Sequence, residues 1–304
     1  MYEKISVYSA IIFSSILVSI ILFEFIGQNY LFNDKLGFLS EPDHRLKPLS
    51  SADINSDGIR SVVEADRFHE ENLNIVFLGD SFIYGWMLPY DKSIPHMFQR
   101  KVRALHPEQQ VNVANFGWVS SSPLLSLRLL KDIGEKYNPD IVILAIDMTD
   151  FHDDIKYHNL LNRKGMWPIA DVFPITFLAV RKVVRKYIKI DGLYESMYGE
   201  PEPAARFFIT EKPLSETRPY FSYIRENIEK INEYSKSTLE AKFILLLFPR
   251  GYQYSEKESP NNWEKSEYQI LGPYAHEPFK YFEEIKQNVD YPIHSLLSDF
   301  QNKG

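Results

Sequence analysis

Asn74-Ile75-Val76-Phe77-Leu78-Gly79-Asp80-Ser81-Phe82 (NIVFLGDSF) is a short apolar run that stops at a glycine and gives way to two small polar residues. The apolar part has the length and β-branched content of a strand buried on both faces, and Gly-Asp-Ser supplies the turn into whatever follows. Three similar runs lie downstream, at Val111 to Asn115 (VNVAN), Asp140 to Ile146 (DIVILAI) and Lys242 to Phe248 (KFILLLF). Helical patterns at Lys92 to Leu105, Pro123 to Tyr137 and Thr217 to Lys236 separate them. Continuous apolar strands alternating with amphipathic helices predict an α/β fold, a doubly wound parallel sheet flanked by helices.

Outward from that core, the N-terminal end has a different character. Ile5 to Phe23 (ISVYSAIIFSSILVSIILF) runs without a charge and, as a helix, reaches about 28 Å, enough to cross a bilayer. Its five serines are tolerable in lipid because each can bond back to a carbonyl one turn earlier. Glu24-Phe25-Ile26-Gly27 is not a small-x-small cleavage site, so residues 1–27 read as an uncleaved transmembrane anchor. Lys4 before the span, with Glu24 and Asp34 after it, predicts a cytoplasmic N-terminus and an exported remainder, a single-pass protein of the inner membrane with an extracytoplasmic domain. Residues 28–73, broken by Pro42, Pro48 and Gly58, read as a juxtamembrane connector lying over a domain at 74–304.

Composition narrows the function. Among 304 residues, 34 Lys plus Arg stand against 41 Asp plus Glu, a net charge of −7 that argues against a nucleic-acid partner. There is no cysteine, which removes disulfides, thiolate metal sites and Cys nucleophiles. Between the third and fourth strands, about 151–240, the chain is longer than one crossover helix requires and predicts an insertion. It carries Arg181, Lys182, Arg185, Lys186 and Lys189 among Phe177, Val180, Val184 and Ile188, either a solvated basic helix face or a contact for anionic lipid. After the fourth strand, Tyr252, Tyr254, Trp263 and Tyr268 read as loop anchors or as rings that stack on sugars.

In open α/β sheets ligands bind at the carboxyl ends of strands. Ser81 follows the first strand, Asn115-Phe116-Gly117 ends the second, and Asp147-Met148-Thr149-Asp150 follows the third. A serine nucleophile and two further groups from adjacent strand ends can converge on one oxyanion. Taken singly, Gly-Asp-Ser is no more than a capped turn. The ordered set NSDGIR (Asn55 to Arg60), NIVFLGDSFIYGW (Asn74 to Trp86), VANFGW (Val113 to Trp118) and NPDIVILAIDMTD (Asn138 to Asp150) resembles the SGNH/GDSL hydrolase family from about Ile54 onward. The anchor and insertion make it similar to SGNH-type proteins associated with bacterial exopolysaccharide acylation.

The resemblance implies a flavodoxin-like sheet, with Ser81 as nucleophile and the N–H groups of Ser81 and Gly117 in the oxyanion hole. Where the family has an asparagine as third donor, this chain has Thr149, and losing one such donor costs about 10²–10³ in rate. Asp80, Asn115 and Asp150 would support these groups. Asp147, Asp150, Asp153, Asp154 and His152 form an acidic cluster, but nothing in their spacing fixes a coordination geometry, so neither metal nor cofactor is expected. Asp150 is expected to brace the loops and the others to cap the next helix.

The base is where the chain departs from the family. A serine hydrolase needs a histidine within reach of the nucleophile, oriented by a carboxylate. The family draws both from a DxxH motif after the last strand, whereas the only DxxH here is Asp66-Arg67-Phe68-His69, ahead of the first. Of the remaining histidines, His294 and His276 are the candidates, and the motif is otherwise expected beyond Gly304. The resemblance implies a serine esterase or O-acyltransferase working through an acyl-Ser81 intermediate on an O-acylated glycan or small exported ester, alongside polysaccharide-modification machinery. The alternatives are a catalytically degenerate glycan-binding relative and an assembly protein.

Overall fold

The computed structural model describes residues 2–31, 48–161, 172–177, 179–180, 205–258, 262 and 264–302. The chain divides into two compact units, one from Met1–Asp43 with Asn159–Pro201 and the other from His44–His158 with Glu202–Gly304.

The larger unit is built on five parallel strands, β1 (Leu73–Gly79), β2 (Val111–Gly117), β3 (Ile141–Ile146), β4 (Lys242–Leu247) and β5 (Ile293–Ser295), in the order β2-β1-β3-β4-β5. The sheet is doubly wound, as the alternating pattern predicts. Alternate residues of each strand point to opposite faces, and both faces are covered. Val76, Leu78, Phe116, Val142, Leu144 and Leu245 face one core, into which α4 (Pro123–Ile133) and α6 (Phe221–Ser237) pack. Helix α6 does so through Ile224, Ile228 and Ile231, the four- and three-residue steps of a helical stripe. Ile75, Phe77, Val113, Ile143 and Ala145 face the other core, against Ile94, Phe98 and Val102 of α3 (Ile94–Leu105). The remaining helices used below are α1 (Tyr2–Ile26), α2 (Ser81–Tyr84), α5 (Asp150–Leu161), α7 (Glu277–Ile285) and α8 (Leu297–Gln301).

Two expected boundaries move. Ile59 and Phe68 belong to the main core, Asn55 Nδ2 donates to the buried Tyr137 hydroxyl at 2.8 Å, and Phe68 meets the Tyr137 ring edge-on at 4.8 Å. The later part of the presumed connector is therefore a structural layer of the sheet unit. The expected insertion also shrinks, because α5 and α6 pack on the sheet, and only Asn159–Pro201 separates from it. The basic stretch Arg181 to Lys189 lies outside the described residues.

In the smaller unit, the stretch Tyr8–Tyr30 is long and apolar enough to cross a membrane, with a mean hydropathy of 2.4. Ser15 and Ser19 bond back to the carbonyls of Ile11 and Ser15, both at 2.8 Å, as their tolerance in lipid requires. Glu24 does not behave as a flanking charge. It is buried against the insertion, where its carboxylate accepts from the Ile175 N–H (2.7 Å), the Thr176 N–H and hydroxyl (2.8 Å each) and Gln28 Nε2 (3.0 Å). Gly27 permits this approach, since a Cβ there would lie 2.7 Å from Ile175 Cγ1.

Candidate active site

From β1 the chain moves to β2 on one side, then crosses to β3 on the other, so the carboxyl ends of β1 and β3 flank a topological switch point where a crevice opens. Ser81 stands at the β1 side of it, and Asp147 to Asp150 stand at the β3 side. Gly79 makes the sharp exit possible: its φ is +154°, and a Cβ would sit 2.8 Å from the Ala145 carbonyl oxygen.

Asp80 is the N-cap of α2, accepting from the Phe82 N–H at 2.8 Å and from Ser81 Oγ at 3.3 Å. Ser81 N–H, in the first helical position, donates to no acceptor among the described residues. It is half-buried, with its hydroxyl and a helix N-terminus presented together.

Of the expected oxyanion donors, that N–H alone has no acceptor among the described residues. Gly117 N–H donates to Asn115 Oδ1 at 2.9 Å. The room left by its missing side chain is filled by the backbone of α2, for a Cβ would lie 2.4 Å from Tyr84 N. Gly117 is therefore a close-packing glycine under α2, with its N–H bonded inside the chain. Asn115 does support the site, its Nδ2 donating to Ile83 O at 2.9 Å. Thr149 is also spoken for: its hydroxyl donates to Asp147 Oδ1 at 2.7 Å and accepts from Arg250 Nη2 at 3.2 Å.

Arg250 was not foreseen. It enters three residues after β4, and its Nε and Nη2 both reach Asp147 Oδ2, at 2.8 and 2.7 Å. Its Nη1 pairs with Glu264 at 2.6 Å, and Glu264 in turn pairs with Arg206. The guanidinium lies between the rings of Phe82 (5.4 Å) and Phe207 (5.2 Å), which fix its plane. Burial works against its charge, but Asp147 and Glu264 outweigh that and hold its pKa above the ordinary value. A cation directly after a buried strand is the signal that would have found it.

The acidic cluster resolves into separate tasks. Asp150 Oδ2 accepts the Asp147 N–H at 2.7 Å, bracing the loop as expected. Asp154 caps nothing on α5; it takes Leu124 N–H (2.9 Å) and Asn227 Nδ2 (2.7 Å), linking α4 to α6. Burial, followed by the charge of Asp147, pushes Asp80 up to about 8. Burial, then the charges of Asp80 and Asp147, raises Asp150 well above the carboxylate range. Both shifts favour the neutral form of these carboxyls, and it is Asp147 that hydrogen-bonds Arg250.

Among the described residues neither candidate histidine hydrogen-bonds Ser81. His276, at the start of α7, is within 2.6 Å of the Gln253 carbonyl through Nε2. His294 is exposed on β5, paired with Leu246, three strand spacings or about 14 Å from β1. Tyr252 and Tyr268 stack on each other at 4.2 Å as loop anchors, and Trp263 lies outside the described residues. A cavity of about 410 Å³ opens beside α2, lined by Phe82, Phe248, Arg250, Tyr254, Tyr268 and Phe300 among others.

No protein-family model matches the chain, and no curated protein matches it in sequence. Among solved structures it is similar to a gut microbial diltiazem-metabolizing enzyme (TM-score 0.41, 12% identity), of which it spans 38% while 76% of its own length is covered. It is also similar to an acetyl-xylooligosaccharide esterase from Geobacillus (0.38, 13%; 77% of this chain and 82% of that one) and to an SGNH-hydrolase family esterase (0.28, 14%; 72% and 95%). At such distances the likeness is one of fold alone. The parallel five-stranded sheet flanked by helices is the fold that the resemblance to SGNH/GDSL hydrolases implied.

Proposed function

We propose that the chain is an SGNH-type serine esterase or O-acyltransferase, anchored in the inner membrane, acting from the extracytoplasmic side on an O-acylated glycan or related ester. One observation supports this above the rest: Ser81 presents its hydroxyl and an unpaired N–H together at the switch point between β1 and β3. In this reading Ser81 Oγ attacks the ester carbonyl carbon and its proton passes to the base. The tetrahedral oxyanion accepts from Ser81 N–H, and collapse expels the alcohol, which regains the proton. Water or an acceptor hydroxyl then releases the acyl group. The base such a site calls for is a histidine oriented by a carboxylate. Arg250 positions the β3 loop through Asp147 and Thr149 and takes no part in proton transfer.

The test is aryl acetate turnover by the protein and by its Ser81→Ala variant. We expect turnover, reduced by about 10³-fold or more in Ser81→Ala, since a triad lacking one member keeps only residual activity. Turnover that Ser81→Ala leaves intact would sink the proposal.

A second reading, a catalytically degenerate glycan-binding or assembly protein, is favoured by the internal use of Gly117 N–H and the Thr149 hydroxyl. It predicts saturable glycan binding, unchanged in Ser81→Ala, with no ester cleaved.

A further inference from the structure

Directly after α2 come Trp86, Met87 and Leu88, which are 58%, 89% and 47% exposed. Met87 has φ +62°, a left-handed conformation that a glycine takes freely and a methionine takes only with strain. Its side chain is too exposed to repay that strain by packing within the chain. The turn beneath is nevertheless tightly held. Arg60, buried and paired with Asp53 at 2.9 Å, donates through Nη1 to Tyr84 O (2.9 Å) and Gly85 O (2.7 Å) and through Nη2 to Leu88 O (2.7 Å). Trp86 and Leu88 N–H donate to Ser81 O and Gly85 O, both at 3.0 Å.

We infer that residues 85–88 form a membrane-docking tip, which inserts Trp86, Met87 and Leu88 into the interfacial lipid of the bilayer beside Ser81. Within residues 85–88 the carbonyls of Gly85 and Leu88 and the N–H groups of Gly85, Trp86 and Leu88 are already bonded inside the chain, so leaving water does not strand them. Tryptophan belongs at the headgroup boundary, and leucine and methionine belong below it. Three side chains fall far short of the roughly 800 Å² per partner that a stable protein interface covers, while a lipid surface needs no matching contour. The anchor supplies the bilayer. Residues 32–47 join it to the sheet unit and reach at most about 55 Å when extended, which keeps the tip at high effective concentration over lipid.

The absence of cysteine makes a single-label test direct. Met87→Cys in the full chain, carrying an environment-sensitive fluorophore, is reconstituted in phosphatidylcholine vesicles containing headgroup-proximal spin-labelled lipid. Lys230→Cys, on the exposed side of α6, is the reference. The Met87 label should emit further to the blue and be quenched severalfold more strongly than the reference. Adding Trp86→Ser and Leu88→Ser should bring its quenching down to the reference value without moving the thermal midpoint. Equal quenching at both positions, quenching indifferent to the serine pair, or protection that requires a second protein and no lipid would each overturn the inference.

Discussion

Asp147, after β3, and Glu24, near the end of α1, are almost fully withdrawn from water, at 1% and 4% exposure, and their oxygens are satisfied by different kinds of partner. Asp147 faces a guanidinium that comes from beyond β4 and a hydroxyl from its own loop. Glu24 has no cation within ion-pair distance among the described residues and relies on four donors, two of them backbone N–H groups at 175 and 176. The first arrangement ties separate strand ends through full charges, so its parts fail together. The second is a helix-end cap supplied from another helix, in which dipoles stand in for a counter-charge.

The widest separation between the two centres should come from Arg250→Met. It leaves Asp147 buried without its partner, and breaking a buried pair from one side costs about 3–5 kcal/mol. Glu264 loses one of its two cations as well. Denaturant unfolding followed by a probe in the sheet unit should show a loss of that size. A change under about 1 kcal/mol would mean that water reaches Asp147 and that the pair is an exposed one.

Glu24→Leu probes the other centre, with a smaller effect. It keeps the bulk and removes the acceptor, so the Ile175 and Thr176 N–H groups lose their partner at about 1–3 kcal/mol for each group left dry. Hydrogen exchange in micelles should speed up at those two amides and stay unchanged along β1. Unchanged exchange at 175 and 176 would show that the insertion holds to α1 through Gly27 and Ile175 packing alone.

These centres also mark how far the sequence could be read. The β1 to β4 strands and the Asp80-Ser81 turn were legible because each depends on neighbours within a few positions, an apolar run ending in a capped turn. Strand β5 has three residues and shows no periodicity to detect. Gly117 and Thr149 stand at the expected strand ends, and each has an internal hydrogen-bond partner that the sequence did not show. Spacing does not reveal that Asn115 and Asp147, each two residues earlier, consume their donors. Arg250 and Glu24 were out of reach for another reason, since their partners lie 103 and 151 residues away. A charge placed by tertiary pairing leaves no local pattern.

The smallest expected difference between the centres is in their response to alkali. Asp80 sits beside the Asp147 charge, and burial with that charge raises its folded pKa to about 8 from a usual 3.8. A carboxyl with a raised folded pKa binds its proton more tightly in the native state than in the unfolded one. Its contribution to stability is therefore complete below about pH 4 and is lost progressively as pH climbs toward 8, where the native state must also release the proton. The sheet unit should lose stability across that window, and Asp80→Asn, which keeps an acceptor for the Phe82 N–H while removing the titration, should flatten the slope. Thermal midpoints at pH 5, 6.5 and 8 for both proteins would decide it. If both fall in parallel, Asp80 already shares its proton with Asp150, whose own pKa is raised by the same neighbours, and the buried acids beside Arg250 titrate as one group.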